Sequence, residues 1–169
     1  MKAVSQKLIV ADTGPLIALA VMDLLPVLTQ LFEKVLVPEA VINECLNDLS
    51  KAQSVKINTA LSDKLIILEK AIDKEYCVLL EELLDKGEAE AISLAKQYDA
   101  TVLLDEKSGR NIARKEGLKV VGSLFILIRA KQAEYITSVI PLLEKLKQHG
   151  YYLSESLINK VLEVCEEKA

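Results

Sequence analysis

The sequence predicts an α/β fold, a central parallel sheet flanked by helices in three α/β/α layers. Short apolar runs bounded by polar residues recur at Lys7–Ala11, Lys34–Val37, Leu65–Leu68, Thr101–Leu104 and Lys119–Val121. The segments between them carry helical spacing, which makes each run a buried strand and each interval a crossover. Strands that alternate with helices in this way pair in parallel. Pro15 and Pro38 follow the first two runs closely, where the first turn of a helix tolerates a missing N–H. At 169 residues the chain is expected to form one domain, 1–169, with a helical extension over about 137–169.

Taken in order, the first strand ends at Asp12 and is followed over Leu16–Leu31 by two short helices broken near Pro26. After the second strand come helices at Pro38–Leu49 and Lys51–Asp63, then the third strand. Asp73–Leu84 and Gly87–Tyr98 make the next pair, with Gly87 read as a cap between them. Beyond the fourth strand, Lys107–Glu116 is helical and ends at Gly117. The fifth strand leads into Leu124–Lys131. Two amphipathic helices, Thr137–His149 and Ser154–Glu166, lie either side of Gly150, and Ser154 and Leu157 have the spacing of a helix start. Apolar positions in these last two, Leu142, Leu143, Leu146, Leu157, Val161 and Leu162, either cover the domain's own sheet or form a dimer face.

Composition narrows the function. A net charge of -4 argues against coating nucleic acid by bulk electrostatics, so any such contact must be local. Cys45, Cys77 and Cys165 form no CxxC pair, which leaves neither a disulfide framework nor a thiolate zinc site. Asp12 and Asp23 interrupt what would be a signal peptide's apolar core, and no apolar run reaches the roughly 18 residues of a membrane span. A soluble protein of the cytoplasm, with no membrane partner, is the expectation.

The acids at strand and helix ends carry the chemistry. Asp12 ends the first strand in "LIVADTGPLIAL", Glu44 lies in "PEAVINECL", Glu88 and Glu90 in "DKGEAEAISLA", and Asp105 follows "TVLL". Alone, Asp12 and Asp105 read as helix caps, Glu88 and Glu90 as first-turn acids and Glu44 as a solvated helix residue. In a parallel sheet, however, ligands sit beyond the carboxyl ends of the strands, and one face could collect Asp12, Glu44, Glu88 and Asp105. Four crowded carboxylates repel unless a cation neutralises them. With one histidine, His149, remote from the acids, all-oxygen ligation suits Mg²⁺ or Mn²⁺ rather than zinc. Thr13 either hydrogen-bonds this set or caps a helix. Lys107, Arg110 and Arg114 fall at i, i+3 and i+7, a basic stripe that is either a solvated face or a contact for phosphates.

Three rival readings of the acids fail. Asp-Thr-Gly occurs in aspartic proteases, but those are nearly all β. An aspartyl-phosphate phosphatase needs a second acid two residues on, where Gly14 stands. Neither GxGxxG nor a Walker-type lysine loop occurs.

In order and spacing, the acids of "LIVADTGPLIAL", "VPEAVINE", "GEAEAISLA" and "VLLDEKSGRNIA", together with "KVVGSLFILIRAK" and "GYYLSESLINKVLE", give a chain that resembles the PIN-domain ribonucleases. The likeness is to the prokaryotic branch related to VapC-type toxins of toxin–antitoxin pairs. That resemblance implies that Asp12, Glu44 and Glu88 are catalytic metal ligands and Asp105 the fourth acid, with adjacent Glu106 competing for that place. Glu90 would be helix surface. It implies Mg²⁺- or Mn²⁺-dependent endonucleolytic cleavage of single-stranded or structured RNA, an inhibitory antitoxin as partner, and a homodimer. The alternative is a non-catalytic binding or assembly module on the same fold. Two departures touch the site: Phe125 stands where relatives tend to have glycine, and apolar Leu103 and Leu104 where many carry a hydroxyl residue ahead of the last acid.

Overall fold

Ile9, Val10 and Ala11 are wholly buried and carry no polar side chain, and only the centre of a parallel sheet buries a strand on both faces. In the computed structural model, which describes residues 6–168, they belong to β1 (Gln6–Ala11). On one side β1 pairs with β2 (Phe32–Pro38), and β2 with β3 (Ile67–Glu69). On the other it pairs with β4 (Thr101–Leu103), and β4 with β5 (Val120–Val121). The five strands run parallel in the order β3-β2-β1-β4-β5, as the alternating pattern predicts. Val10 lies opposite Leu36 on one neighbour and Val102 on the other, which sets the register of the centre.

Successive side chains of a strand point to opposite faces, so β1 feeds two cores. Ile9 and Ala11 enter a core with α1 (Thr13–Val21), α2 (Leu25–Leu31), α3 (Glu39–Cys45), α4 (Ala52–Ser62) and α8 (Ser123–Gln132). The same core takes α9 (Ile140–Gln148) and α10 (Glu155–Val164). Val10 enters the opposite core, with α5 (Lys74–Glu81), α6 (Lys86–Tyr98) and α7 (Lys107–Lys115). Leu143, Leu146, Val161 and Leu162 are buried beside Ile9, so the C-terminal helices cover the domain's own sheet. Leu142 packs at the edge of that core, whereas Leu157 is exposed.

Three local expectations change. The break between α1 and α2 falls upstream of Pro26, at Asp23, whose φ of 58° lies in the left-handed region. Pro26 sits in the first turn of α2, so it opens a helix instead of breaking one. α3 stops at Cys45 rather than Leu49, and Asp48 accepts hydrogen bonds from the N–H and hydroxyl of Ser50 in a turn that competes with the helix. Gly87 lies inside α6 and caps nothing. Asp85 is the N-cap, in a capping box whose partner is Glu88.

No single helix among the described residues is long and apolar enough to cross a membrane. α1 and α2 together reach the length, but they are bent by 111° and their apolar residues lie in the core.

Candidate active site

Strand order reverses between β1 and β4, because β2 and β3 extend from one edge of β1 while β4 and β5 extend from the other. Helices leaving the two strands diverge there and open a crevice at the carboxyl ends. The N–H of Asp12 donates to the Leu103 carbonyl at 3.1 Å, which holds the acid at that crevice. Asp12 occupies the N-cap position of α1, yet its carboxylate makes no capping hydrogen bond. It is 5% exposed, and among the described residues its Oδ1 has no hydrogen-bond partner.

The second buried acid arrives from the opposite layer. Glu88, in the first turn of α6, is 4% exposed. Its Oε2 accepts the Asp85 N–H at 3.3 Å and its own N–H donates to Asp85 Oδ1 at 2.8 Å, while Oε1 has no partner. A buried carboxylate oxygen without a donor carries a desolvation cost that a structural role does not explain. Burial above all, and then the charges of Asp85, Glu88 and Glu44, push Asp12 up to about 7 against a lowering backbone hydrogen bond from Thr13. Burial, then Asp85 and Glu106, also push Glu88 upward.

Glu44 projects from α3 and is exposed; its Oε2 accepts the Thr13 hydroxyl at 2.9 Å, so Thr13 ties α3 to the turn that carries Asp12. Asp105 lies beyond β4, where Ser123 donates its N–H to Oδ1 and its hydroxyl to Oδ2, both at 2.8 Å. Asp105 thus sits on the N-terminus of α8, with one hydrogen bond to each oxygen, and not on α7. Glu106 is the N-cap residue of α7 without a capping bond, and its charge acts on Glu88. Two hollows flank Asp12. One of about 430 Å³ is lined by Asp12, Asp105 and Glu106; the other, of about 380 Å³, takes in Glu44, Asp85 and Gly87.

Glycines make room for these acids. A Cβ on Gly87 would lie 3.3 Å from Asp12 Oδ1 and 3.4 Å from Asp85 Oδ1. On Gly109 it would lie 2.9 Å from Glu88 Oε1, and on Gly122 2.9 Å from Asp105 Oδ1.

The basic stripe divides. Lys107 and Arg114 are exposed, but Arg110 is half-buried and its Nη1 donates to the Leu104 carbonyl at 2.7 Å, bracing the residue before Asp105. Glu90 is a correction: it is not helix surface but 9% exposed, and its Oε2 accepts the Ala40 N–H at 3.0 Å. Pro38, the N-cap of α3, offers no side-chain acceptor, so an acid from a neighbouring helix fills the place. Asp85 and Ser123 were not singled out from the sequence. Asp85-x-x-Glu88 is a readable capping-box pattern, whereas the Ser123 contact has no local signal.

Among the described residues no group of three Asp, Glu, His or Cys side chains is arranged to hold a metal ion. The orphaned oxygens of Asp12 and Glu88 nonetheless fit a cation that takes few protein ligands and retains water, as Mg²⁺ does. A family model described as a PIN domain matches residues 8–167. No curated protein matches the chain.

Proposed function

The chain belongs to the PIN-domain family, whose members are in general nucleases, and from that premise we propose that it is a Mg²⁺- or Mn²⁺-dependent endoribonuclease. The observation that carries the reading is the pair of buried carboxylates, Asp12 and Glu88, each with an oxygen lacking any donor at the switch point of the sheet. Asp12 and Glu88 would hold the ion, with Glu44 and Asp105 the further acids beside them and Glu106 the alternative to Asp105. Such an ion, when bound, lowers the pKa of a coordinated water and offsets charge on the phosphoryl oxygens.

The chain's own groups do the rest. Thr13 orients the Glu44 carboxylate, and Ser123 holds both oxygens of Asp105. Arg110 braces the Leu104 carbonyl beside it. Lys107 and Arg114, exposed on the helix that follows Asp105, supply positive charge for RNA phosphates in a chain that is otherwise acidic. The likeness to VapC-type toxins extends the reading to a cytoplasmic toxin, homodimeric and restrained by an antitoxin.

A non-catalytic module is the second reading, and the lack of three converged acids among the described residues favours it. Cleavage of RNA in Mn²⁺ or Mg²⁺ separates the two. Wild type should cut and Asp12→Asn should fall to background, with Mn²⁺ binding by isothermal titration lost in parallel. Undiminished cleavage by the folded variant would remove Asp12 from the mechanism, and no cleavage or Mn²⁺ binding by wild type would leave the module.

A further inference from the structure

Aromatic residues make up 4% of the chain and Trp is absent, so surfaces on which a base could stack are scarce. Tyr98 and Phe125 are 40% and 38% exposed but line no part of the acid hollow, and three further rings are engaged elsewhere. Phe32 is in the core, Tyr76 lies beneath Lys96 at 4.6 Å, and the Tyr135 hydroxyl donates to Gln30. Tyr152 differs from all of these: it is 91% exposed, yet it lines the same hollow as Asp12, Asp105 and Glu106.

Its position follows from the backbone on either side. α9 ends at Gln148, Gly150 with a φ of 86° reverses the chain just beyond it, and the N–H of Tyr151 donates to the Leu146 carbonyl at 3.1 Å. At the other end Ser154 caps α10 by accepting the Leu157 N–H at 3.2 Å. Between these clamps Tyr151 turns inward, its hydroxyl 3.5 Å from the Gly14 carbonyl in the turn that carries Asp12. The neighbouring ring of Tyr152 is left facing solvent. Leu153 and Leu157, the latter 39% exposed, continue an apolar lip along the same wall.

We propose that Tyr152, with Leu153 and Leu157 beside it, is a stacking shelf for an unpaired base of the RNA whose phosphate enters the acid crevice. The inference rests on the ribonuclease reading and adds to it a residue that selects unpaired over paired RNA. A ring this exposed has no structural task to perform, and one such residue alone would mean little. What sets it apart is continuity: the shelf shares one hollow of about 430 Å³ with Asp12, Asp105 and Glu106, a size usual for ligand clefts. Bases splayed from a single strand stack on tyrosine, whereas those inside a duplex cannot reach it.

The test uses the full chain and a short single-stranded RNA carrying 2-aminopurine, whose fluorescence falls on stacking, titrated in Ca²⁺ and checked on a gel to be uncut. Tyr152→Ala should lose the quenching and roughly tenfold or more in affinity. Tyr152→Phe should keep both, and a duplex of the same sequence should bind all three proteins alike. Affinity and quenching unchanged in Tyr152→Ala, or a loss in Tyr152→Phe as large as in Tyr152→Ala, would overturn the shelf. Cleavage in Mn²⁺, measured separately, tells the two readings apart. A protein that cuts RNA but ignores Tyr152 loses only the shelf. One that binds through Tyr152 and never cuts loses only the ribonuclease, and one that does not bind RNA loses the shelf.

Discussion

Two regions of the molecule bury carboxylates, and they treat them in opposite ways. Near the C-terminus the Glu167 side chain is 10% exposed; it accepts the Ser138 hydroxyl at 2.7 Å and the Val139 N–H at 2.9 Å, and it pairs with Lys131 at 3.0 Å. Burial alone would raise this acid, but the hydrogen bonds from Ser138, Val139 and Lys131 outweigh it and hold Glu167 below its ordinary value. In the crevice Asp12 is buried more deeply than Glu167, faces Asp85, Glu88 and Glu44, and is pushed up to about 7. Glu88 and Glu90 repeat the contrast two residues apart on α6, where Glu90 has the Ala40 N–H and Glu88 keeps an oxygen without a donor. Burial therefore does not mark a functional acid. A buried oxygen left without a donor does.

The largest effect expected from this contrast is on stability without metal. Asp12 ionises near 3.8 in an unfolded chain and at about 7 in the fold, so between those values the folded protein holds a proton that the unfolded chain has released. Its contribution is fully present below about 3.8 and is lost as pH rises through about 7. In EDTA at pH 8, Asp12→Asn should be more stable than wild type by roughly 2–4 kcal/mol, and that gap should close as pH falls towards 4. Added Mn²⁺ should raise the unfolding midpoint of wild type and leave the variant where it was. Urea unfolding at the two pH values measures this. A variant less stable than wild type at pH 8 would mean that Asp12 is structural, like Glu167.

At the other pole the sign reverses. Glu167→Ala leaves the Val139 N–H and the Ser138 hydroxyl without their acceptor and the Lys131 ammonium with the Thr137 carbonyl but no counter-charge, which should destabilise the protein by about 2–3 kcal/mol whether or not metal is present. RNA cleavage per folded molecule should be unchanged. A Glu167→Ala protein as stable as wild type would erase the difference between the two regions.

The sheet was legible because its signal is local. "KLIVA" and "TVLL" are short apolar runs between polar residues, and their recurrence between helical intervals fits strands covered on both faces. Asp12 and Asp105 could be placed at the crevice from the same runs, since strand ends and switch points follow from topology. What escaped is what depends on a partner remote in sequence. Glu90 looks like any acid on a helix until Ala40, fifty residues away, presents its N–H. Ser123 reaches Asp105 across 18 residues. Gly87 was read as a cap because glycine ends helices, but it is small for another reason: Asp12 and Asp85 come within 3.4 Å of where its Cβ would be. Pro26 misled in the same fashion, its ring marking the start of α2 when the break had already occurred at Asp23.

The smallest effect on stability comes from a methyl group, and it separates packing from function at Glu88. Gly109 lies in the first turn of α7, where alanine is favoured over glycine by up to about 1 kcal/mol. The new Cβ would stand 2.9 Å from Glu88 Oε1, closer than such contacts allow, and the nearest atom is the tip of a side chain that can rotate aside. The helix gain and the cost of displacing a buried carboxylate oppose each other, so Gly109→Ala should change stability by less than about 1 kcal/mol. Metal should feel it far more. Moving the one oxygen of Glu88 that has no donor should weaken Mn²⁺ binding roughly tenfold, the scale on which support around a metal ligand acts. Calorimetric titration of the variant, with circular dichroism to confirm its fold, measures both. Mn²⁺ affinity equal to wild type would show that this oxygen is not a ligand, and Glu88 would then join Glu90 and Glu167 as an acid the fold keeps for itself.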